Sequence, residues 1–215
     1  MSKKSLPTPV EFTPKYNQSD VEIIKEEALY NGFFKMKKVT LKHRLFNGGW
    51  SGNIEREMMV RGDAVCVLLY DPRKDKVLLI EQFRACAVKH VSPWLLELVA
   101  GMVEDGESNE EVARRESLEE AGVEVLRLEW MLNFVPSPGG LVEYLKMYVG
   151  EFDSNKVNLE KSYGLQGENE DIRLHLFDAD VAIALLKTNI DNASTIMGLQ
   201  WLALNKQDLR ARWLA

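Results

Sequence analysis

Residues 101–123 read Gly101-Met102-Val103-Glu104-Asp105-Gly106-Glu107-Ser108-Asn109-Glu110-Glu111-Val112-Ala113-Arg114-Arg115-Glu116-Ser117-Leu118-Glu119-Glu120-Ala121-Gly122-Val123, and they decide the fold. A helix is expected from Ser108 to Ala121, closed by Gly122. Its start is built for stability: Ser108 followed by Glu111 is a capping box, and early carboxylates suit the positive end of the helix dipole. Its end is not. Glu116, Glu119 and Glu120 crowd the last turn, where the dipole is negative. Glu116–Glu120 and Glu116–Glu119 are like-charge pairs on one face, and each such conflict costs roughly 0.2–1 kcal/mol. A stretch that breaks local rules without visible compensation is a candidate functional site. Bound divalent cations compensate, because clustered carboxylate oxygens suit Mg²⁺ or Mn²⁺, which also take phosphate oxygens. Arg115 can pair with Glu107 and hold it in place. On the glutamates alone, a solvated acidic face stays open as the alternative.

Upstream of this helix, residues 64–70 and 76–83 are strand-like apolar runs joined by Asp71-Pro72-Arg73-Lys74-Asp75, a turn. Residues 94–99 form another strand, ending at Ala100-Gly101. Downstream, strands are expected near residues 123–134, 143–151 and 173–177, with a polar loop at 152–171. Residues 179–188 and 193–214 carry helical apolar spacing. The sum is an α/β chain, a mixed sheet with helices on its faces. Residues 1–18 are polar, hold Pro7, Pro9 and Pro14, and begin as a loose arm. Residues 27–37 are mostly apolar and aromatic, residues 38–46 alternate as a half-buried strand does, and Asn47-Gly48-Gly49 signals a hairpin turn. A small N-terminal β-domain over residues 1–60 follows, with the main domain at 61–215. So small a β-unit needs another surface, either the rest of the chain or a partner subunit.

The 215 residues are 46% hydrophobic, enough for a sizeable core. Lys plus Arg is 27 against 33 for Asp plus Glu, a net charge of −6, which argues against a nucleic-acid binder. No segment approaches the roughly 20 apolar residues of a membrane helix. No apolar stretch follows the first lysines, so no signal peptide is expected, and the cytoplasm is the expected compartment. Cys66 and Cys86 sit in apolar-rich segments and are expected to be buried free thiols. Three scattered histidines and two cysteines show no zinc-ligand spacing.

The spacing in residues 101–123 overturns the solvated-face alternative. It resembles the Nudix box, Gly-x5-Glu-x7-Arg-Glu-U-x-Glu-Glu-x-Gly-U with U aliphatic. Gly101, Glu107, Arg115, Glu116, Glu119, Glu120, Gly122 and Val123 stand at its positions. Ser117 departs from it at the first U, and its hydroxyl needs a partner if buried. The resemblance implies a Nudix α/β/α sandwich and hydrolysis of a nucleoside diphosphate linked to another moiety. It implies Glu116 and Glu120 as metal ligands, the Ala100 carbonyl as a third, Glu119 in the same shell, and Glu107 and Arg115 as organisers. Carboxylate-held metal suits this chemistry, since attack of water on a diphosphate needs its charge neutralised.

Other segments resemble the bacterial ADP-ribose pyrophosphatase subfamily. Pro138, in Ser137-Pro138-Gly139-Gly140, lies fifteen residues past Val123, and Glu168-Asn169-Glu170 matches a loop that closes over the metals. As structure alone these are a turn and an acidic loop. The likeness continues through Glu81-Gln82-Phe83-Arg84, Trp94-Leu95-Leu96-Glu97 and Asp191-Asn192-Ala193-Ser194, covering roughly residues 20–205. It implies Glu168 as general base, with Glu119 a competing candidate, and Glu170 as a further metal contact. It also implies a homodimer that exchanges the β-domain. Phe33 would stack adenine, although an aromatic in a small β-unit is more often core. Arg56 would reach across the dimer, Arg84 would contact the diphosphate, and Ser137 and Glu143 the far ribose. The implied reaction is Mg²⁺-dependent cleavage of ADP-ribose to AMP and ribose 5-phosphate. A hydrolase of another nucleotide sugar such as GDP-mannose, or a non-catalytic ADP-ribose sensor, are the rivals.

Overall fold

The computed structural model describes residues 11–215, the side chain of Glu168 excepted. Residues 1–10 of the expected N-terminal arm lie outside the described residues. The chain divides into two compact units, Met1–Val60 and Arg61–Ala215. In the first, β1 (Val21–Asn31), β2 (Lys35–His43) and β3 (Ile54–Val60) form an antiparallel sheet in that order. The apolar run at residues 27–37 is not one element: it contains the turn between β1 and β2, where Asn31 opposes Lys35. Asn47-Gly48-Gly49 lies in the β2–β3 connection, closed by an Arg44–Trp50 bridge. Both glycines have positive φ there, +97° and +76°, which glycine adopts without steric cost. Every residue of β1 is exposed, Ile23, Ile24, Leu29 and Tyr30 among them.

The second unit opens with β4 (Ala64–Asp71) and β5 (Lys76–Phe83), then β6 (Trp94–Glu97), β7 (Val99–Met102) and α1 (Asn109–Ala121). After these come β8 (Leu128–Phe134), β9 (Leu141–Val142), β10 (Leu145–Glu151), β11 (Arg173–Asp178), α2 (Ala179–Ala184) and α3 (Ala193–Leu214). The sheet order is β11-β5-β4-β10-β8. Only the β4–β10 neighbours run parallel. All eight residues of β4 are buried, as a strand covered on both faces requires. Val65, Val67 and Leu69 face Val112, Ala113 and Ala121 of α1. Cys66, Leu68 and Tyr70 face Leu199, Leu202, Leu209 and Trp213 of α3. This is the expected sandwich.

One feature of the sheet positions the box. β4 and β5 pair only near their connecting turn, over Leu69–Asp71 and Lys76–Leu78. Beyond it they diverge, and β6 and β7 fill the gap: β6 pairs with β5, and β7 with β4. The stretch expected as one strand at 94–99 is therefore two, reversing at Leu98. The reversal occurs because β6 runs antiparallel to β5 and β7 antiparallel to β4, and β4 and β5 themselves oppose one another. Gly198 of α3 lies close over this apex, where an added Cβ would come within 2.9 Å of Leu98.

Ser108 and Glu111 form the anticipated capping box at the start of α1. Gly122 ends the helix at φ +61°, its N–H donating to Leu118 and that of Val123 to Ser117. Cys66 is buried as expected, but Cys86 is exposed, because it falls in a short 3₁₀ turn (Ala85–Ala87) past the end of β5. Gly122→Ala is expected to lower the unfolding free energy by about 1–2 kcal/mol, since an L residue is disfavoured at this φ. The added methyl would also strike the Tyr163 ring. Urea unfolding of the full chain measures the loss.

Candidate active site

The site is built where β7 passes under α1. Glu120 is only 3% exposed, and its Oε2 accepts the Ala100 N–H at 3.0 Å. The N–H and C=O of an extended residue point to the same side of its strand. The Ala100 carbonyl therefore opens toward Glu120 as well. Gly101 comes next, and an added Cβ there would overlap the Glu116 carboxyl group. The first glycine of the box is thus the space into which Glu116 folds.

Arg115 ties the acids together. Its Nε and Nη2 grip both oxygens of Glu107, at 2.9 and 3.0 Å. Its Nη1 donates to Glu116 at 2.8 Å and to Glu119 at 3.1 Å. A planar five-donor guanidinium suits this three-carboxylate task as an ammonium would not. Ser117, the departure from the box, is fully buried, and its hydroxyl donates to the Ala113 carbonyl at 2.7 Å, one turn back.

Burial pushes Glu116 up to about 7, against the pull of Arg115 and with a further rise from Glu119 and Glu170. Burial pushes Glu120 up to about 8, despite its bond from Ala100, with Glu116 and Glu170 adding to the rise. Glu170 therefore bears on both acids. It stands on the loop at 163–172, closed at its base by reciprocal backbone bonds between Tyr163 and Ile172. The Gly164 N–H donates to the Glu119 carbonyl at 3.3 Å, which pins this loop to α1. The Glu170 carboxylate in turn accepts the Leu165 N–H at 3.3 Å. Glu168 lies in the same loop, in a 3₁₀ turn (Gln166–Glu168), and its side chain is outside the described residues.

Arg84 follows β5, and its positive charge acts on Glu120, opposing that acid's rise. Its Nε donates to Oε2 of the buried Glu97 at 2.9 Å, and its Nη2 lies 2.8 Å from the same oxygen as an ion pair. Glu143, also buried, lies 3.3 Å from Arg61. Burial raises its carboxyl above the usual range, and Asp63 adds to the effect while Arg61 opposes it. The charges of Glu97, Glu120 and Glu143 all act on the buried Cys66 thiol, which desolvation pushes up to about 11. Cys66 is the register partner of Ala100, so the three acids gather around that strand pair.

A model of the NUDIX domain matches residues 60–211. The chain belongs to the NUDIX family. It is 46% identical over 203 residues to an ADP-ribose pyrophosphatase of Haemophilus influenzae, spanning 92% of this chain and 93% of that one. An ADP-ribose pyrophosphatase of Escherichia coli (strain K12) is 46% identical over 200 residues, spanning 92% and 95%. A GDP-mannose pyrophosphatase of Pectobacterium atrosepticum is 34% identical, spanning 85% and 93%. Among solved structures, one described as the crystal structure of ADP compounds hydrolase superposes with a TM-score of 0.68. It covers 91% of this chain and 100% of its own at 21% identity, a likeness of fold.

Ser137, Phe33 and Arg56, also implied by the resemblance, have surroundings of their own. Ser137 is exposed and its carbonyl closes the Ser137–Gly140 turn, accepting from Gly140 and Leu141. Phe33, in the β1–β2 turn, is exposed and meets Phe34 edge-on at 4.9 Å, so it is not core. Arg56 lies on β3 and donates to the Glu55 carbonyl. The Arg84–Glu97 pair was not anticipated as a unit. In the sequence Glu97 is an acid inside the apolar stretch at 94–99, and nothing in its spacing points to Arg84.

NUDIX hydrolases use a divalent metal, and the donor set here fits one. A buried carboxylate, a half-buried one and a backbone carbonyl are hard oxygen donors. Burial holds the proton affinity of both acids up, against the pull of Arg115 and Arg84, and a bound cation would offset it. Among the described residues, no three acids, histidines or cysteines converge on a single metal-binding point. The protein's own donors hold them instead: Arg115 takes Glu116, and the Ala100 N–H takes Glu120.

These shifts set the pH dependence of stability without metal. Both folded-state values, about 7 and about 8, exceed the ordinary 4.5. The folded protein holds more protons than the unfolded chain between them, so stability falls as pH rises from about 4.5 to about 8. The melting temperature in EDTA is expected to drop across that range, and the Glu120→Gln variant to drop less. Thermal melts at pH 5.5, 7 and 8.5 test this.

Proposed function

We propose that this chain hydrolyses the diphosphate of ADP-ribose, giving AMP and ribose 5-phosphate. One observation carries the chemical class: the acids of α1, organised by Arg115 and folded over Ala100-Gly101, with the Glu170 loop pinned alongside. The 46% identity to ADP-ribose pyrophosphatases over nine-tenths of the chain supports the substrate. The 34% identity to a GDP-mannose pyrophosphatase supports a second reading, another nucleotide sugar cleaved by the same acids.

In this reading Glu116, Glu120, Glu170 and the Ala100 carbonyl would hold Mg²⁺, or Mn²⁺ in its place. The metal would neutralise the diphosphate and lower the pKa of attacking water. Glu168 accepts the proton of that water, with Glu119 the competing base. The water oxygen bonds to one phosphorus, and the bridging oxygen leaves with the other phosphate. Arg115 and Glu107 act by holding Glu116 and Glu119 in place. Arg84 binds diphosphate oxygens through its free edge, a charge-assisted contact. Phe33 stacks on the adenine, Arg56 reaches the nucleotide from a partner copy, and Ser137 and Glu143 meet the far ribose.

The exposed apolar residues of β1 support a homodimer built through the N-terminal β-domain. The substrate is a small molecule, and neither nucleic acid nor membrane belongs to this reading. Among the described residues no helix is long and apolar enough to cross a membrane. We place the reaction in the cytoplasm, where two free cysteines stay reduced.

Glu116→Gln and Glu120→Gln are each expected to cut kcat on ADP-ribose with Mg²⁺ by about 100-fold or more. The metal-free melting temperature should hold or rise, since each change removes one of two crowded like charges. Near-normal rates from both variants would overturn the metal assignment. Offering ADP-ribose, GDP-mannose, NADH and diadenosine polyphosphates side by side tests the substrate. Faster cleavage of GDP-mannose would favour the second reading, and ADP-ribose binding without any turnover would favour a sensor.

A further inference from the structure

The end of Arg84 is held from outside the box. Glu97, which accepts its Nε–H and pairs with its Nη2, is buried, and a buried carboxylate needs partners for both oxygens. Arg84 takes Oε2. Oε1 is taken by Asn192, whose Nδ2 donates to it at 2.8 Å. Asn192 is also the N-cap of α3: its Oδ1 accepts the Thr195 N–H at 3.1 Å and the Thr195 hydroxyl at 3.2 Å. Thr195 Oγ1 then accepts the Leu98 N–H at 3.2 Å, at the apex between β6 and β7. One asparagine therefore joins the start of α3, the buried acid before the apex, and the arginine after β5.

The geometry points to Asn192 as a positioning residue for substrate: by fixing Glu97, it holds the Arg84 guanidinium with its far edge free for a diphosphate. The amide is used from both ends, its oxygen for the helix and its nitrogen for Glu97. Its orientation is set by the chemistry, because only oxygen accepts from the cap and only nitrogen donates to a carboxylate. Glu97 occupies the Nε–Nη2 edge of Arg84, which leaves the Nη1 edge for an oxyanion. Without the Asn192 donor, the buried Glu97 keeps one unmatched oxygen and loses its fixed orientation, and Arg84 loses its own. The inference rests on the proposal that Arg84 contacts the diphosphate.

Substitutions at Asn192 separate its two jobs. Serine and aspartate are both good N-caps, so Asn192→Ser keeps the helix start and removes only the donor. Asn192→Asp also keeps the cap and sets a like charge against Glu97. Steady-state hydrolysis of ADP-ribose with Mg²⁺ is measured for both, for Arg84→Ala and for Asn192→Ser/Arg84→Ala. Should the substrate panel select GDP-mannose, that substrate is used instead. Asn192→Ser is expected to raise KM about tenfold with kcat within about threefold, the pattern of lost ground-state binding. Asn192→Asp should raise KM further, and either variant serves if the other fails to fold. In the Arg84→Ala background, Asn192→Ser should change KM no more, because it acts through that arginine. Unchanged KM in a folded Asn192 variant, or effects that multiply in the double variant, would overturn the inference. Unchanged KM in Arg84→Ala would instead overturn the diphosphate role of Arg84 on which it rests.

Discussion

Two carboxylates one helical turn apart, Glu120 buried and Glu116 half-buried, constrain the rest of the second unit. Glu116 and Glu120 repel one another, are both largely withdrawn from water, and sit near the negative end of α1. The fold tolerates them by surrounding them with fixed donors. Arg115 neutralises one, the Ala100 N–H binds the other, and Arg84 adds positive charge from just past β5. None of these donors removes the tendency of the acids to hold protons near neutrality. Withdrawal from water and mutual repulsion keep both acids raised, and a divalent cation would relieve both.

The sheet makes the donors available. Because β4 and β5 splay apart beyond their turn, β6 and β7 enter between them, and β7 delivers Ala100 and Gly101 directly beneath α1. The missing side chain of Gly101 is the room for the Glu116 carboxyl. The apex at Leu98 faces α3, whose Gly198 permits the close approach and whose first turn supplies Thr195. The two faces of the sheet therefore meet at the site. α1 brings the acids from one side, and α3 braces Glu97 and Arg84 from the other.

Much of this was legible in the residues because it is local. The capping box, the glycine stop and the like-charge crowding on α1 all follow from spacing along one helix. The bidentate Arg115–Glu107 pair joins the middle of this helix to the residue just before its N-cap, eight positions away. The strands at 64–70 and 76–83 were legible because continuous apolar runs mark strands covered on both faces. The break at Leu98 was not. Its residues, Leu95-Leu96-Glu97-Leu98-Val99, are apolar on either side, and the reversal comes from pairing with two diverging partners. The exposure of Cys86 was hidden for a related reason: apolar neighbours mark a core only where the strand continues, and β5 ends at Phe83.

The sequence by itself determined which chemistry the chain carries. The box spacing places Glu116, Glu119, Glu120 and Arg115 on one helical face whatever surrounds them, because a helix repeats every 3.6 residues. Tertiary structure alone decided what those acids meet. The link from Gly164 to the Glu119 carbonyl joins residues 45 positions apart, and Asn192 to Glu97 spans 95. No periodicity reaches that far. These contacts exist because a split sheet and two helices bring distant segments to one end of β7, and burial there leaves each polar group needing a specific partner.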